Sequence, residues 1–312
     1  MELMKKGSKM NKLISKGLGL VLCFSMVLLS SCSDTKLECN TDTFSSEEEE
    51  LQFWMNQFSP IENHQIISIE NSEDGKYRFC RYVNNELEKE VIVQEAYEGC
   101  FYDAECETLY SYNRNKQQIE ILNKDFVVMD ILVSNLNIFE IKNIVKVDQS
   151  LYFLVVENSP YDVEPVFSAD NSGYIDFGEK LYEINLEKRL MKEIEISNPI
   201  CISSFEDGLQ IYVYQQEEYK LLHYDNKSGE LRTLNNMDDI GYLFAFAYWG
   251  NWIYYSGDSC PGLWKINMIT HEKTCVNESA LLIKGADLQV FNQKVFMLDH
   301  LNGVIFQYLI EE

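Results

Sequence analysis

The chain has 312 residues and carries 26 Lys and Arg against 50 Asp and Glu, a formal net charge of −24 at pH 7. The phosphates of nucleic acids and the head groups of anionic lipids repel such a surface, so the composition argues against binding to DNA, RNA or a lipid surface. A strongly negative charge also keeps a protein soluble, and this ordinary role needs no acidic function.

The N-terminal segment has the features of an export signal. A lysine-rich start precedes an apolar run from Leu18 to Leu29, which is shorter than the roughly 20 residues of a membrane-spanning helix. The run ends in Leu29-Ser30-Ser31-Cys32, which resembles the lipobox of bacterial lipoproteins. The resemblance implies that residues 1–31 are a signal peptide and that Cys32 carries lipid. We therefore expect a lipid-anchored protein on the extracytoplasmic face of a cell membrane, at a cell surface or in a periplasm.

Two short segments follow the predicted lipid site. Residues 32–45 are polar and show no apolar periodicity, which predicts a flexible tether. Residues 46–58 start with a capping-box pattern at Ser46 and end before Pro60. Apolar side chains recur between these limits at helical spacing, and they are Leu51, Trp54 and Phe58. We predict one short amphipathic helix over residues 46–58.

A pattern of Leu, aromatic residue, two further residues and Asn recurs along the rest of the chain, with His in the aromatic position of one copy. The four copies are Leu109–Asn113, Leu181–Asn185, Leu222–Asn226 and Leu263–Asn267. The last three copies start at residues 181, 222 and 263, which are 41 residues apart, and a degenerate copy follows at Ile305-Phe306. A period near 40 residues built of short strands is typical of a β-propeller.

Each repeat is predicted to form a four-stranded blade. Two apolar strands joined by a tight turn precede the repeated pattern, and a short polar strand follows it. These outer strands are predicted at Gln117–Leu122, Arg189–Ile194, Glu230–Leu234 and Glu272–Val276. The sequence thus predicts an all-β fold, one propeller over residues 64–312 with about six blades, while five or seven blades remain open.

The last predicted blade reaches the C-terminal end of the chain without a fourth strand. Propellers close their ring by pairing the two ends of the chain, so Gln65–Glu70 is predicted to supply the missing strand. The segment Lys76–Val83 is then predicted to begin another blade.

Two predicted second strands carry a family resemblance. They are Ile253-Tyr254-Tyr255-Ser256-Gly257 and Val295-Phe296-Met297-Leu298-Asp299. Both resemble the Tyr-Trp-Thr-Asp strands of propellers of the low-density-lipoprotein-receptor type, although the full tetrapeptide is absent from the sequence. The chain is similar to bacterial surface lipoproteins that carry such propellers. The resemblance implies recognition of a protein or glycan, and it brings no catalytic residues.

An insertion at residues 157–179 interrupts the second clear blade. From Ser168 onward it resembles an EF-hand calcium loop, with a glycine at the sixth position and oxygen-bearing side chains at positions 3, 5, 9 and 12. These four candidate ligands are Asp170, Ser172, Asp176 and Glu179. Ser168 stands where calcium loops have Asp, and the flanks read as strands. The alternatives are therefore a Ca²⁺ site and an acidic hairpin, and we expect no other cofactor.

Nine cysteines occur in the sequence, of which Cys23 lies in the signal and Cys32 is the lipid site. Export permits disulfides, and the pairs closest in sequence are Cys100–Cys106 and Cys260–Cys275. Several of these residues also occupy positions where a small buried apolar side chain would serve equally well. Both interpretations remain open.

The sequence contains no metalloprotease, nucleophile-elbow or phosphate-loop motif. The leading hypothesis is a monomeric binding or scaffold propeller that recognises a protein, peptide or glycan at one face and meets the membrane through its lipid alone. The alternatives are a metal-assisted propeller enzyme, of lactonase or lyase type, and an envelope assembly factor.

Overall fold

The computed structural model describes residues 53–62, 65–72, 74–84, 86–157, 166–167, 173–174, 178–205, 208–237, 240–257, 260–277, 287–299 and 304–310. Within these ranges the chain consists of strands, turns and connecting segments, and it forms no helix. A helix able to span a membrane is accordingly not found in this part of the chain.

The first three blades are four-stranded antiparallel sheets. The strands of the first blade are β1 (Phe53–Glu62), β2 (Gln65–Ser72), β3 (Tyr77–Val83) and β4 (Glu86–Val93). Those of the second are β5 (Tyr97–Asp103), β6 (Thr108–Asn113), β7 (Gln118–Asn123) and β8 (Val128–Ser134). The third blade interrupts its sheet with the hairpin β11–β12, and its segments are β9 (Glu140–Val147), β10 (Ser150–Val156), β11 (Val166–Phe167), β12 (Gly173–Tyr174), β13 (Glu179–Asn185) and β14 (Leu190–Ile194).

The next two blades also have four strands, and the sixth has three within the described residues. The strands of the fourth blade are β15 (Pro199–Phe205), β16 (Gly208–Gln215), β17 (Glu218–Asp225) and β18 (Leu231–Asn236). Those of the fifth are β19 (Leu243–Trp249), β20 (Trp252–Gly257), β21 (Cys260–Asn267) and β22 (Lys273–Asn277). The sixth comprises β23 (Asp287–Phe291), β24 (Lys294–Asp299) and β25 (Val304–Leu309).

The first strands of the six blades form a closed ring. Each of them contacts the first strand of the next blade, in the order β1, β5, β9, β15, β19 and β23, and β23 contacts β1 again. A cluster of buried apolar side chains fills each of the six interfaces between neighbouring blades. The predicted all-β propeller is confirmed, and the number of blades is six.

The interface that closes the ring lies between the sixth and first blades. Phe58 of β1 is fully buried there, packed with Phe296 and Ile305 of the sixth blade. The predicted helix over residues 46–58 is therefore wrong from Phe53 onward, where the chain is strand β1. Pairing with β2 and packing between two blades outweigh the local helical spacing of the apolar residues, because propensity is a weak constraint beside tertiary burial. Residues 46–52 lie outside the described part of the chain.

Two further predictions at the N-terminal end are wrong. Gln65–Glu70 does not complete the sixth blade, since it lies in β2 and pairs with β1 and β3 of the first blade. Lys76–Val83 does not begin a blade, because β3 is a third strand. Both strands stand two places later in the order of strands than predicted, because the sequence pattern does not reveal β1 and the ring does not take its closing strand from Gln65–Glu70.

The three evenly spaced copies of the repeated pattern lie on the third strands β13, β17 and β21, as predicted. The copy at Leu109–Asn113 lies on β6, a second strand, and Gln117–Leu122 belongs to the third strand β7. Second and third strands are both paired on two sides and buried, so an apolar pattern alone cannot distinguish them. The true fourth strand of this blade, β8, was missed for that reason.

The Asn of the pattern closes the turn into the next strand. Asn185 Oδ1 accepts a hydrogen bond from the backbone N–H of Lys188 at 2.8 Å, and Asn267 Oδ1 accepts one from Ile269 at 2.9 Å. In the copy that ends at Asn226, the preceding Asp225 takes this role with Ser228, at 2.7 Å. The last position of the pattern thus stabilises the turn that follows its strand, with a carboxylate replacing the amide in one blade.

Truncating Phe58 tests the ring closure. Because Phe58 is fully buried between the first and last blades, we expect Phe58→Ala to lower the free energy of unfolding by about 3–5 kcal/mol. Urea denaturation measures this loss, with Val127→Ala as the control because Val127 is 56% exposed. Equal stability of the two variants would contradict the position of β1 in the ring.

Candidate binding site at the channel mouth

The C-terminal ends of the first strands meet at one mouth of the central channel. Residues near the ends of β1, β5, β9 and β23 surround a cleft of about 350 Å³ there, which we call the mouth cleft. Its lining consists of Ser59, Pro60, Phe101, Tyr102, Asp103, Ala104, Glu105, Lys146, Asp148, Gln289, Val290 and Phe291. The cleft exists because a closed ring brings together strand ends that are far apart in sequence.

A buried ion pair lies in the wall of the mouth cleft. Lys146 Nζ is 2.5 Å from Asp103 Oδ2, and Asp103 is only 5% exposed. Burial lowers the pKa of Lys146, but its hydrogen bond and charge interaction with Asp103 outweigh burial and raise that pKa overall. Asp103 also accepts the backbone N–H of Glu105 at 3.1 Å. The ammonium of Lys146 therefore stays charged and is neutralised by its partner.

Two more carboxylates stand at the rim of the mouth cleft. Glu105 and Asp148 are exposed, and neither forms an ion pair with any residue that the structure describes. The three carboxylates of the cleft and its single ammonium leave a formal charge of −2. The entrance of the channel is therefore negatively charged.

Hydrogen bonds across the ring hold the walls of the cleft together. Ser59 Oγ, in a residue only 2% exposed, accepts the backbone N–H of Tyr102 at 3.0 Å. Gln289 Nε2 donates to the carbonyl of Phe58 at 2.7 Å. These contacts join β1 to β5 on one side and to β23 on the other. The cleft is thus built on rigid strands rather than on long loops.

Aromatic rings continue around the same mouth. Phe101, Tyr102 and Phe291 line the cleft itself. At the ends of β15 and β19, the rings of Phe205 and Tyr248 pack with centroids 4.2 Å apart. The mouth therefore combines negative charge with flat apolar surfaces, a combination that suits a ligand with both a cationic and an apolar part.

The insertion with the predicted calcium loop leaves and re-enters its blade at the end away from the mouth cleft. It leaves β10 after Val156 and re-enters at Glu179, whereas the turn after β9 reaches the mouth cleft at Asp148. Strands of this length span roughly 20 Å, which separates the end of β10 from the mouth cleft. Asp170, Ser172 and Asp176 lie outside the described residues, and the loop stays a prediction.

Glu179 is the one candidate calcium ligand that the structure describes. Its Oε1 accepts a hydrogen bond from Lys142 Nζ at 2.7 Å, while its Oε2 is buried and has no hydrogen-bond partner among the described residues. The described residues contain no group of three or more His, Cys, Asp or Glu arranged to hold a metal ion. The buried Oε2 of Glu179 is the oxygen that the described residues leave free for a further partner.

The structure does not join Cys100 to Cys106. Cys100 is buried between the first and second blades, with its Sγ 4.0 Å from the carbonyl of Ile67, and burial raises its pKa well above the ordinary value. Cys106 is exposed in the turn after β5. The two thiols are thus separated by the end of the strand. Cys275 Sγ lies 3.9 Å from the carbonyl of Leu263, and the Cys260 side chain is outside the described set, so the second pairing stays a prediction.

A further carboxyl group on the inner strands has a raised pKa. Asp287 begins β23, two residues before Gln289, and burial raises its pKa from 3.8 to about 6. Burial is also the main cause of the raised pKa values of Cys100 and Cys201, and the charge of Asp287 contributes to both. These cysteines lie on the first strands of the second and fourth blades.

Sequence reasoning did not find the mouth cleft. Asp103, Lys146 and Gln289 share no motif and no spacing, because they come from three different blades. The one signal available in the sequence is positional, since each lies within two residues of the end of a first strand. Without the number of blades and the identity of the first strands, that signal cannot select these residues.

Comparison with solved structures supports the fold. The structure resembles a propeller in a nidogen–laminin complex, with a TM-score of 0.56, 8% identity, and coverage of 79% of this chain and 89% of that one. A gluconolactonase from Xanthomonas campestris gives a TM-score of 0.55 and 11% identity, with 87% of each chain covered. TolB from Acinetobacter baumannii gives 0.51 and 8%, covering 81% of this chain and 65% of that one. No protein-family model and no curated protein matches the sequence.

Replacing Asp287 by Asn tests the buried carboxyl group. In the folded protein the Asp287 carboxyl keeps its proton up to a pH of about 6, whereas the ordinary pKa is 3.8. The free energy of unfolding therefore falls as the pH rises from 3.8 to about 6. Asn cannot ionise. We expect Asp287→Asn to match the wild type near pH 4 and to be more stable by roughly 2–3 kcal/mol at neutral pH.

Urea denaturation across this pH range measures the difference. Asp74→Asn is the control, because the hydrogen bond from Lys76 lowers the pKa of the exposed Asp74. The contribution of Asp74 to the free energy of unfolding therefore rises with pH, whereas that of Asp287 falls. A stability difference between Asp287→Asn and wild type that does not vary with pH would contradict the assignment.

Proposed function

We propose that this protein is a lipid-anchored binding propeller that works outside the cytoplasmic membrane and recognises a protein, peptide or glycan at the mouth cleft. The observation that carries the proposal is the cleft itself, where four strands of a rigid ring present charged, polar and aromatic side chains to solvent. Rigid scaffolds with exposed side chains at one mouth are commonly used for recognition.

The sequence supports the proposed location. The lysine-rich start, the apolar run and the lipobox-like Leu29-Ser30-Ser31-Cys32 occur in the order that lipoprotein export requires. Loss of residues 1–31 would remove five lysines and one glutamate, leaving 21 basic and 49 acidic side chains and a formal charge of −28. Such a domain avoids anionic lipid surfaces, so the lipid would be its contact with the membrane.

Substitution of Cys32 tests the anchor. Because Ala has no thiol for lipid attachment, we expect Cys32→Ala to move the protein from the membrane fraction to the soluble fraction. Cys23→Ala is the matched control, since Cys23 lies inside the predicted signal peptide and should leave the protein on the membrane. Immunoblots of both fractions measure the distribution, and membrane retention of Cys32→Ala would contradict the lipid site.

Cross-linking in intact cells tests recognition at the mouth cleft. The comparison uses the wild type, the cleft variant Glu105→Gln/Asp148→Asn, and the control Glu195→Gln/Glu217→Gln, which removes the same charge from exposed positions away from the cleft. We expect a cross-linked species that the cleft variant loses and the control keeps. A species lost equally from both variants, or none above background, would count against the proposal.

A metal-assisted enzyme, with Ca²⁺ or Mg²⁺ held by carboxylates in the channel, is the second candidate, and the calcium loop of the insertion is a separate possible metal site. Thermal melting of the purified protein with millimolar Ca²⁺ separates the two alternatives for that loop. A bound ion raises the melting temperature by mass action, and Asp176→Asn would abolish the rise while Asp162→Asn in the same insertion would not. An acidic hairpin gives no rise in any of the three proteins.

A further inference from the structure

We propose that the mouth cleft takes a basic peptide segment, an extended stretch of polypeptide that presents Lys or Arg side chains. This inference rests on the proposed function and names the class of partner.

The charge of the cleft selects a cationic partner. The only ammonium in its lining, that of Lys146, is held by Asp103 at 2.5 Å. Glu105 and Asp148 are left without an ion pair among the described residues. By contrast, the buried carboxylates of Glu70 and Glu183 are paired with Arg78 and Lys192. The carboxylates of Glu105 and Asp148 stand where a ligand can reach them.

The walls of the cleft suit the stems of Lys and Arg. Pro60, Phe101 and Phe291 offer apolar surface beside the carboxylates. Long basic side chains lay their methylene groups against such surfaces and keep the charged end in a polar environment, and Arg also stacks on aromatic rings. A volume of about 350 Å³ is at the low end for ligand pockets and accommodates one or two side chains.

Ser59 supplies an independent observation. It lines the cleft, is 2% exposed, and uses its oxygen as the acceptor for the N–H of Tyr102. Within the described residues its hydroxyl proton has no acceptor. A buried donor without an acceptor is costly, and a peptide carbonyl is a common partner for a hydroxyl. A bound peptide accepts the hydrogen bond of Ser59 with a backbone carbonyl, and its basic side chains pair with the carboxylates of Glu105 and Asp148.

Other classes of ligand fit these features less well. A nucleic acid or an acidic peptide would meet the −2 charge of the cleft and the −24 charge of the chain. A neutral glycan would stack on the aromatic rings but would leave Glu105 and Asp148 without counter-charges. The glycan is therefore an outcome that the experiment must be able to detect.

The test measures binding of a fluorescent Gly/Ser-rich peptide that carries several Arg and Lys residues, beside an analogue with Gln at each basic position. Fluorescence polarisation is followed with the wild type, Glu105→Gln/Asp148→Asn, and Glu195→Gln/Glu217→Gln. All four positions are exposed, so folding should be unaffected. We expect the cleft variant to bind the basic peptide about three- to tenfold more weakly, with the control within about twofold of wild type.

Each other result overturns the inference. Equal weakening by both variants would mean that the peptide follows the overall negative charge. Equal binding of the basic peptide and its Gln analogue would remove the charge argument, as would no binding of either. In these cases the cross-linking experiment tests the proposed function separately. A cross-linked species in cells that depends on the cleft, including one that carries a glycan, would support a binding propeller whose partner is not a basic peptide.

Discussion

Closure of the ring between β23 and β1 is the constraint on which the rest of the structure depends. Six blades share six apolar interfaces, and the last of these exists only because Phe58 and Ile66 of the first blade pack against Phe296 and Ile305 of the last. A ring with one open interface would expose this cluster to water. The closed ring also fixes the inner strands relative to one another, and the channel and its mouth follow from that geometry.

The mouth cleft is a product of this closure. Its main polar groups come from four blades, and the hydrogen bonds of Ser59 and Gln289 join β1 to its two neighbouring blades. Loosening of the closing interface would move the wall that carries Ser59 away from the wall that carries Gln289. Stability of the ring and integrity of the candidate site are therefore coupled, because the same strand contributes to both.

The carboxyl groups of the ring fall into two classes. Glu70 and Glu183 are buried with cationic partners and serve the packing of the blades. Burial raises the pKa values of Glu98 and Asp287 to about 6. For Glu98, the charge of Arg114 opposes this rise without cancelling it. Burying a carboxylate without full compensation lowers stability at neutral pH. Carboxyl groups with raised pKa values occur more often in functional sites than in regions whose role is packing alone.

The sequence by itself determined the architecture of most of the chain, because a period of 41 residues and the alternation within each hairpin are local properties that burial imposes on every blade. It also located the turns that Asn185 and Asn267 close. It could not show that residues from Phe53 onward form a strand, because Phe58 would be buried equally well on the apolar face of a helix and on a strand between two blades. Only the tertiary structure decided which strand closes the ring and brought Asp103, Lys146 and Gln289 together, because their proximity depends on the number and order of the blades and not on any local pattern.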